Sequence, residues 1–123
     1  ECKTLGGCNT GEAKITKGYQ LKASFVIHTV GPVYTGSSKD AEQLAACYWN
    51  SLSLAMKHKL ESISFPAIST GVFGYPIKNA AHVALKTLSQ FLLEKNATLR
   101  VQFILFDDHS LQMFEQVFDE LIQ

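Results

Sequence analysis

Short runs rich in β-branched and aromatic residues alternate along this chain with longer segments whose apolar side chains recur at helical spacing. That alternation limits the fold more than any single motif does. Glu12 to Lys17 and Ser24-Phe25-Val26-Ile27-His28-Thr29-Val30 read as strands, the second stopped by Gly31-Pro32. From Asp40 to about Lys59 the spacing of Ala41, Leu44, Ala45, Tyr48, Leu52 and Ala55 predicts a helix, capped by Ser37 or Ser38 and ended by Lys57-His58-Lys59. Ser62 to Ala67 is a short strand, apolar enough to be expected buried on both faces, as parallel strands usually are. Pro76 suits a first helical turn, and Ile77, Ala80, Ala81, Ala84, Leu88, Phe91 and Leu92 stripe a helix over 77–95. A strand from Arg100 to Phe106, a turn at Asp107-Asp108 and a helix lined by Leu111, Phe114, Val117, Phe118 and Leu121 complete the order. Strand–helix units of about 30 to 40 residues are the mark of right-handed crossovers, so the class is α/β with a largely parallel sheet covered by helices.

Composition supports one domain with a real core: 123 residues, 46% hydrophobic and 18% charged. A chain of this size buries roughly two thirds of its unfolded surface. Eleven basic residues balance eleven acidic ones, so no long-range field draws the protein to nucleic acid or to an anionic membrane, and neither is an expected partner. Cys2, Cys8 and Cys47 are odd in number and have no CxxC spacing, which argues against a disulfide framework or a zinc site and for a reducing compartment. Without a leader pattern or an apolar run of about 18 residues, the expectation is a cytoplasmic protein needing no cofactor or metal. Glu1 to Gly7 reads as the last turn of a helix and its glycine stop. The expectation is therefore that residues precede Glu1, the alternative being an irregular arm.

Ala67-Ile68-Ser69-Thr70-Gly71-Val72-Phe73-Gly74-Tyr75-Pro76 hands a strand over to a helix through two glycines three residues apart. In an open α/β sheet the ligand crevice lies at the carboxyl ends of the parallel strands, where 68–75 and 106–108 both emerge. Glycines let backbone N–H groups approach a ligand closely, and a helix start adds its positive end, so a phosphate or diphosphate is the natural occupant. Charge-assisted hydrogen bonds of about 1.5–3 kcal/mol each give roughly micromolar to millimolar affinity once the entropic cost of binding is subtracted. A GxxG between strand and helix is also what a plain turn requires. An RNA-binding KH loop is disfavoured because no Lys or Arg lies between Glu61 and Ile77, and a Walker loop because no Gly-Lys-Ser/Thr ends the segment.

Together with Leu5-Gly6-Gly7-Cys8, Thr10-Gly11-Glu12-Ala13, Ile27-His28-Thr29-Val30-Gly31-Pro32-Val33-Tyr34, Cys47-Tyr48 and Ser64-Phe65-Pro66-Ala67-Ile68, the loop resembles the macrodomain family, particularly its hydrolase-type branch. The likeness runs in order over nearly the whole chain. It implies a three-layer fold with a mixed, mostly parallel sheet flanked by helices, and ADP-ribose as ligand. By the resemblance, Ser69, Thr70, Gly71, Val72, Phe73 and Gly74 form the diphosphate loop. Phe73 also positions the distal ribose, and Phe106 stacks on adenine unless it is an ordinary core or rim residue.

The family's acidic residue for the adenine amine, its Asn-rich strand end and its Gly-rich loop with an Asp have no counterpart in this sequence. One missing strand would lie between those at Phe25 and Ser62. The expectation is a domain over 1–123 that is N-terminally incomplete, its gap closed by a separate upstream piece, by strand exchange between copies, or by direct pairing. The resemblance then implies binding of ADP-ribose or an ADP-ribose-linked product. It implies hydrolysis of ADP-ribosyl or O-acetyl-ADP-ribose bonds when complete, with weak binding and little turnover from the chain itself. The alternative is a non-catalytic module that binds a partner or forms a homodimer through exposed sheet edges.

Of the remaining reactive residues, His28 is read as structural because no Ser or Cys nucleophile is placed to use it. His58 is a helix-end cation, His82 faces solvent, and Asp107 or Asp108 beside His109 caps a helix rather than binding metal. Cys47 is core, Cys8 exposed and oxidisable, and Glu12 an edge-strand carboxylate.

Overall fold

A computed structural model describes residues 9–17, 25–29, 31–66, 68–70, 74–95, 99–105 and 107–121. Its elements run β1 (Ala13–Lys17), β2 (Phe25–Thr29), α1 (Ser38–Lys57), β3 (Ser62–Phe65), α2 (Ile77–Lys95), β4 (Arg100–Phe103) and α3 (Asp108–Leu121). This is the α/β order read from the sequence. Expectations for 1–8, including the helix stop at Gly6-Gly7 and the exposure of Cys8, fall outside the described residues.

β1 and β2 are antiparallel, with Ala13 opposite Thr29. β3 and β4 are parallel, with Ser62 opposite Arg100 and Phe65 opposite Phe103. Among the described residues these are two separate two-stranded ladders, so direct pairing of β2 with β3 is not seen. What bridges them is α1, which packs on β1, β2 and β3 and also on α2.

The start of α1 follows from Ser37, whose side chain accepts a hydrogen bond from the Lys39 N–H at 3.2 Å. Its end follows from Lys59, whose φ of 58° turns the chain out of the helix just past His58. Leu44, Cys47, Tyr48, Leu52 and Ala55 form the buried stripe. Burying a large apolar side chain contributes about 1.5–3 kcal/mol, so this face rather than helix propensity holds α1 in place. Rings then link the layers: Tyr48 lies 4.9 Å from Phe65, Phe65 5.9 Å from Phe103, and Phe103 5.1 Å from Phe114. α2 contributes Ala80, Ala81, Ala84 and Phe91, with Phe91 edge-on to Trp49 at 4.9 Å.

Three burial expectations are corrected. β3 is covered on one face only: Phe65 is buried, while Ser62 and Ser64 are exposed and the Ser64 hydroxyl donates to Gln102 Oε1 at 3.3 Å. Polar residues at alternate positions of β3 already oppose two-faced burial. Ala41 is exposed although it continues the α1 stripe. On α3 only Phe114 and Val117 are buried; Leu111, Phe118 and Leu121 are 46%, 52% and 39% exposed. α3 rests on α2 alone among the helices, and its apolar face is wider than that contact.

Candidate ligand site at the strand ends

The parallel register of β3 and β4 sends the segments after Phe65 and Phe103 out of the same sheet edge, and the Ile104 N–H extends the ladder onto the Phe65 carbonyl at 2.8 Å. Of the predicted site residues, Ser69, Thr70 and Gly74 are described. Gly71, Val72, Phe73 and Phe106 lie outside the described residues.

The loop is drawn into a narrow neck by the Tyr75 N–H, which donates to the Ser69 carbonyl at 2.9 Å. Its two ends take the left-handed conformation: Ser69 has φ 70° and Gly74 φ 76°. Glycine accepts that geometry freely, whereas serine is strained by roughly 1–2 kcal/mol. Ser69 is also buried, and among the described residues its hydroxyl has no hydrogen-bond partner. Such a group costs about 1–3 kcal/mol. Strain and an orphaned hydroxyl at one residue are the pattern seen where surrounding structure holds a site against its own preference. Just before it, the Ile68 N–H donates to the Tyr48 hydroxyl at 3.4 Å, tying the end of β3 to α1. Burial pushes the Tyr48 phenol well above its ordinary range, so it stays protonated.

A second segment, 31–36, lies alongside. Gly31 approaches so closely that a side-chain carbon there would overlap Ser69 Oγ and come 2.6 Å from Ile68 Cγ2. Tyr34 packs on the buried Tyr75 with ring centroids 5.0 Å apart. Asp40 holds the segment to α1: its Oδ2 accepts from the Thr35 N–H at 2.7 Å and the Gly36 N–H at 2.8 Å, and Oδ1 from the Thr35 hydroxyl at 2.9 Å. The Thr35 N–H is the chief cause of a carboxyl held below its ordinary range. For Tyr75 the phenol is pushed up, first by burial and then by the Asp40 charge.

Sequence reasoning missed Gly31, Tyr34, Thr35 and Asp40 as parts of this edge. Gly31-Pro32 signals a strand stop, and nothing local tells that it packs against a loop far along the chain. Pro76 is placed just outside α2, its carbonyl accepting the first helical bond from Ala80 at 2.9 Å.

The other candidates fall as follows. Cys47 is fully buried, and His82 is exposed. The His58 ring sits 3.0 Å from the Leu54 carbonyl at the end of α1. Asp107 caps α3 by accepting from the Ser110 N–H at 2.7 Å, which holds its carboxyl low. Glu12 is exposed and accepts from the Asn9 N–H at 2.9 Å. The side chain of His28 is outside the described residues. An open groove of about 330 Å³ lined by Glu12, Ala13, Asn50, Ser53, Leu54 and Lys57 lies at the other end of α1. Among the described residues no His, Cys, Asp or Glu cluster has the makings of a metal site, and no helix is long and apolar enough to cross a membrane.

With this geometry in hand, comparison with known proteins is informative. The Macro domain family model matches residues 1–84. A macro domain-containing protein of Chlorobaculum tepidum is 51% identical over 94% of this chain and 67% of its own length. An ADP-ribose glycohydrolase MACROD2 of Xenopus laevis is 45% identical over 98% of this chain and 29% of its own. Among solved structures, the Oceanobacillus iheyensis macrodomain with ADP superimposes with a TM-score of 0.89 at 44% identity, covering 98% of this chain and 64% of that one. The Trypanosoma brucei macrodomain in complex with ADP-ribose gives 0.85 at 43%, covering 94% and 48%. The chain thus spans about two thirds of the length of the bacterial relatives it matches. An α/β edge with a closed loop neck, and relatives of this identity, lead to one assignment: the chain belongs to the macrodomain family, in the branch that holds the MACROD glycohydrolases.

Proposed function

We propose that this chain binds ADP-ribose, or a product carrying it, through the loop 69–75. The observation that carries the reading is the neck: Ser69, strained and buried, is bonded to Tyr75 at the edge where β3 and β4 both exit. Backbone amides of Ser69, Thr70, Gly71, Val72 and Phe73 would hold the diphosphate, with Gly74 completing the turn. The Tyr75 amide is engaged in the neck and the Ile68 amide on Tyr48, so neither joins the cradle. Phe73 would fix the distal ribose and Phe106 stack on adenine.

Hydrolysis of ADP-ribosyl or O-acetyl-ADP-ribose bonds is the activity this site suits within a complete domain over and beyond 1–123. There a water would sit between the substrate's own phosphate and the distal ribose, with Phe73 orienting the sugar. An assisting Asp of the family's Gly-rich loop has no counterpart in this sequence, so the chain alone should bind weakly and turn over little.

Calorimetric titration with ADP-ribose tests the reading. Binding in the micromolar to millimolar range, abolished by Gly71→Glu in a folded variant, supports it; no heat at millimolar ADP-ribose overturns it. A second reading, a self-associating module, is favoured by the lack of β2–β3 pairing among the described residues and by the exposed Phe118, Leu111 and Ile104. It predicts a dimer by light scattering that ignores nucleotide.

A further inference from the structure

Segment 31–36 has no part in the phosphate cradle, yet both ends of the loop neck rest on it. Ser69 lies against Gly31 with no room for a methyl group, and Tyr75 lies against the ring of Tyr34. The retreat paths are closed. Ser69 is buried, with its Cβ already 3.4 Å from where a methyl at 31 would stand, and Ile68 Cγ2 is a branch methyl on a stiff torsion. Segment 31–36 itself is fixed to α1 by hydrogen bonds from three donors to Asp40. The neck therefore has a rigid rest, and its position is set from outside the loop.

We propose that Gly31 and Tyr34 are positioning residues for ADP-ribose affinity, setting the height and tilt of the 69–75 neck through Ser69 and Tyr75. The proposal rests on the reading of that loop as the ligand site. An added methyl at 31 would push the end of β3 outward and move the cradle relative to the adenine side, and displacements of about 1 Å are worth orders of magnitude at preorganised sites. Tyr34, 39% exposed, acts through ring contact and not through its hydroxyl.

The test is a double-mutant cycle on the full chain, read by calorimetry with ADP-ribose and by hydrogen exchange of the Tyr75 amide. Gly31→Ala is expected to weaken binding about tenfold and to lower Tyr75 protection by a similar factor, with amides of α1 and α2 unchanged. In a Ser69→Gly background the same Gly31→Ala change should weaken binding measurably less than in the parent, because the nearest colliding atom is gone while Ile68 Cγ2 remains. Tyr34→Ala should weaken binding about threefold and Tyr34→Phe not at all, which keeps the proposal testable should Gly31→Ala fail to fold. Unchanged affinity and protection in Gly31→Ala, an identical penalty with and without the Ser69 hydroxyl, or equal losses in both Tyr34 variants would overturn it. Should the parent chain not bind ADP-ribose, the functional reading fails by itself. The positioning proposal is then decided by Tyr75 protection alone, which must still fall in Gly31→Ala.

Discussion

Two aspartates near helix starts, Asp40 and Asp107, do chemically similar work with opposite reach. Asp107 stands just before α3, is exposed, and bonds forward to the Ser110 N–H, so it serves only the helix it begins. Asp40 stands inside the first turn of α1, is 3% exposed, and bonds backward to Thr35 and Gly36, so it fixes a segment outside its own helix. A helix cap stabilises a helix. A carboxylate that accepts from three donors of a preceding loop builds a platform, and here that platform lies against the 69–75 neck.

The largest expected effect follows from breaking the platform. Asp40→Ala should lower Tm by several degrees and weaken ADP-ribose binding, because the Thr35 and Gly36 amides lose the buried carboxylate that fixes them to α1. Thermal melts beside calorimetry check it. Asp107→Ala should lower Tm by about 3–5 °C with a smaller loss of ADP-ribose affinity than Asp40→Ala, the contrast that separates a cap from a platform.

Removing the phenol oxygen in Tyr48→Phe should cost about 1 kcal/mol in denaturant unfolding, from the Ile68 N–H left without its acceptor. The salt bridge Lys78–Glu120, at 3.7 Å with both side chains half exposed, marks the low end. Lys78→Ala should change stability by less than about 0.5 kcal/mol, and that small effect should shrink as salt is raised.

Acid sharpens the same comparison. Both carboxyls are held below 3.8 in the folded state. A depressed folded-state pKa means that stability from these groups is fully present above the unfolded value and is lost as pH falls through the folded one. Unfolding midpoints should therefore be level above pH about 5 and fall below pH about 4. Asp40→Asn should flatten that acid limb more than Asp107→Asn does.

How much of this the sequence carried depends on whether the cause was local. Pro76 and the Ala80-Ala81-Ala84 stripe located α2 at Ile77–Lys95 because a helix start and its apolar face are written within one segment. The caps were legible to within one residue, as Ser37 or Ser38 and Asp107 or Asp108, and the structure uses Ser37 and Asp107. The same logic overstated α3: a stripe reveals which side is apolar but not how much of it a neighbour covers, and Phe118 stays half exposed. The turn at Gly74, with its φ of 76°, was legible in the sequence, while the rest beneath it was not. Gly31 meets Ser69, and Tyr34 meets Tyr75, only because α1 brings the ends of β2 and β3 together.

The most direct test of the central claim is an amide-resolved NMR titration of the chain with ADP-ribose. The account predicts saturable shifts concentrated in residues 69–74, with a weaker response over 31–36 and none around Glu12, Asn50 and Lys57. Shifts centred on that other groove, or no saturable response at all, would contradict it.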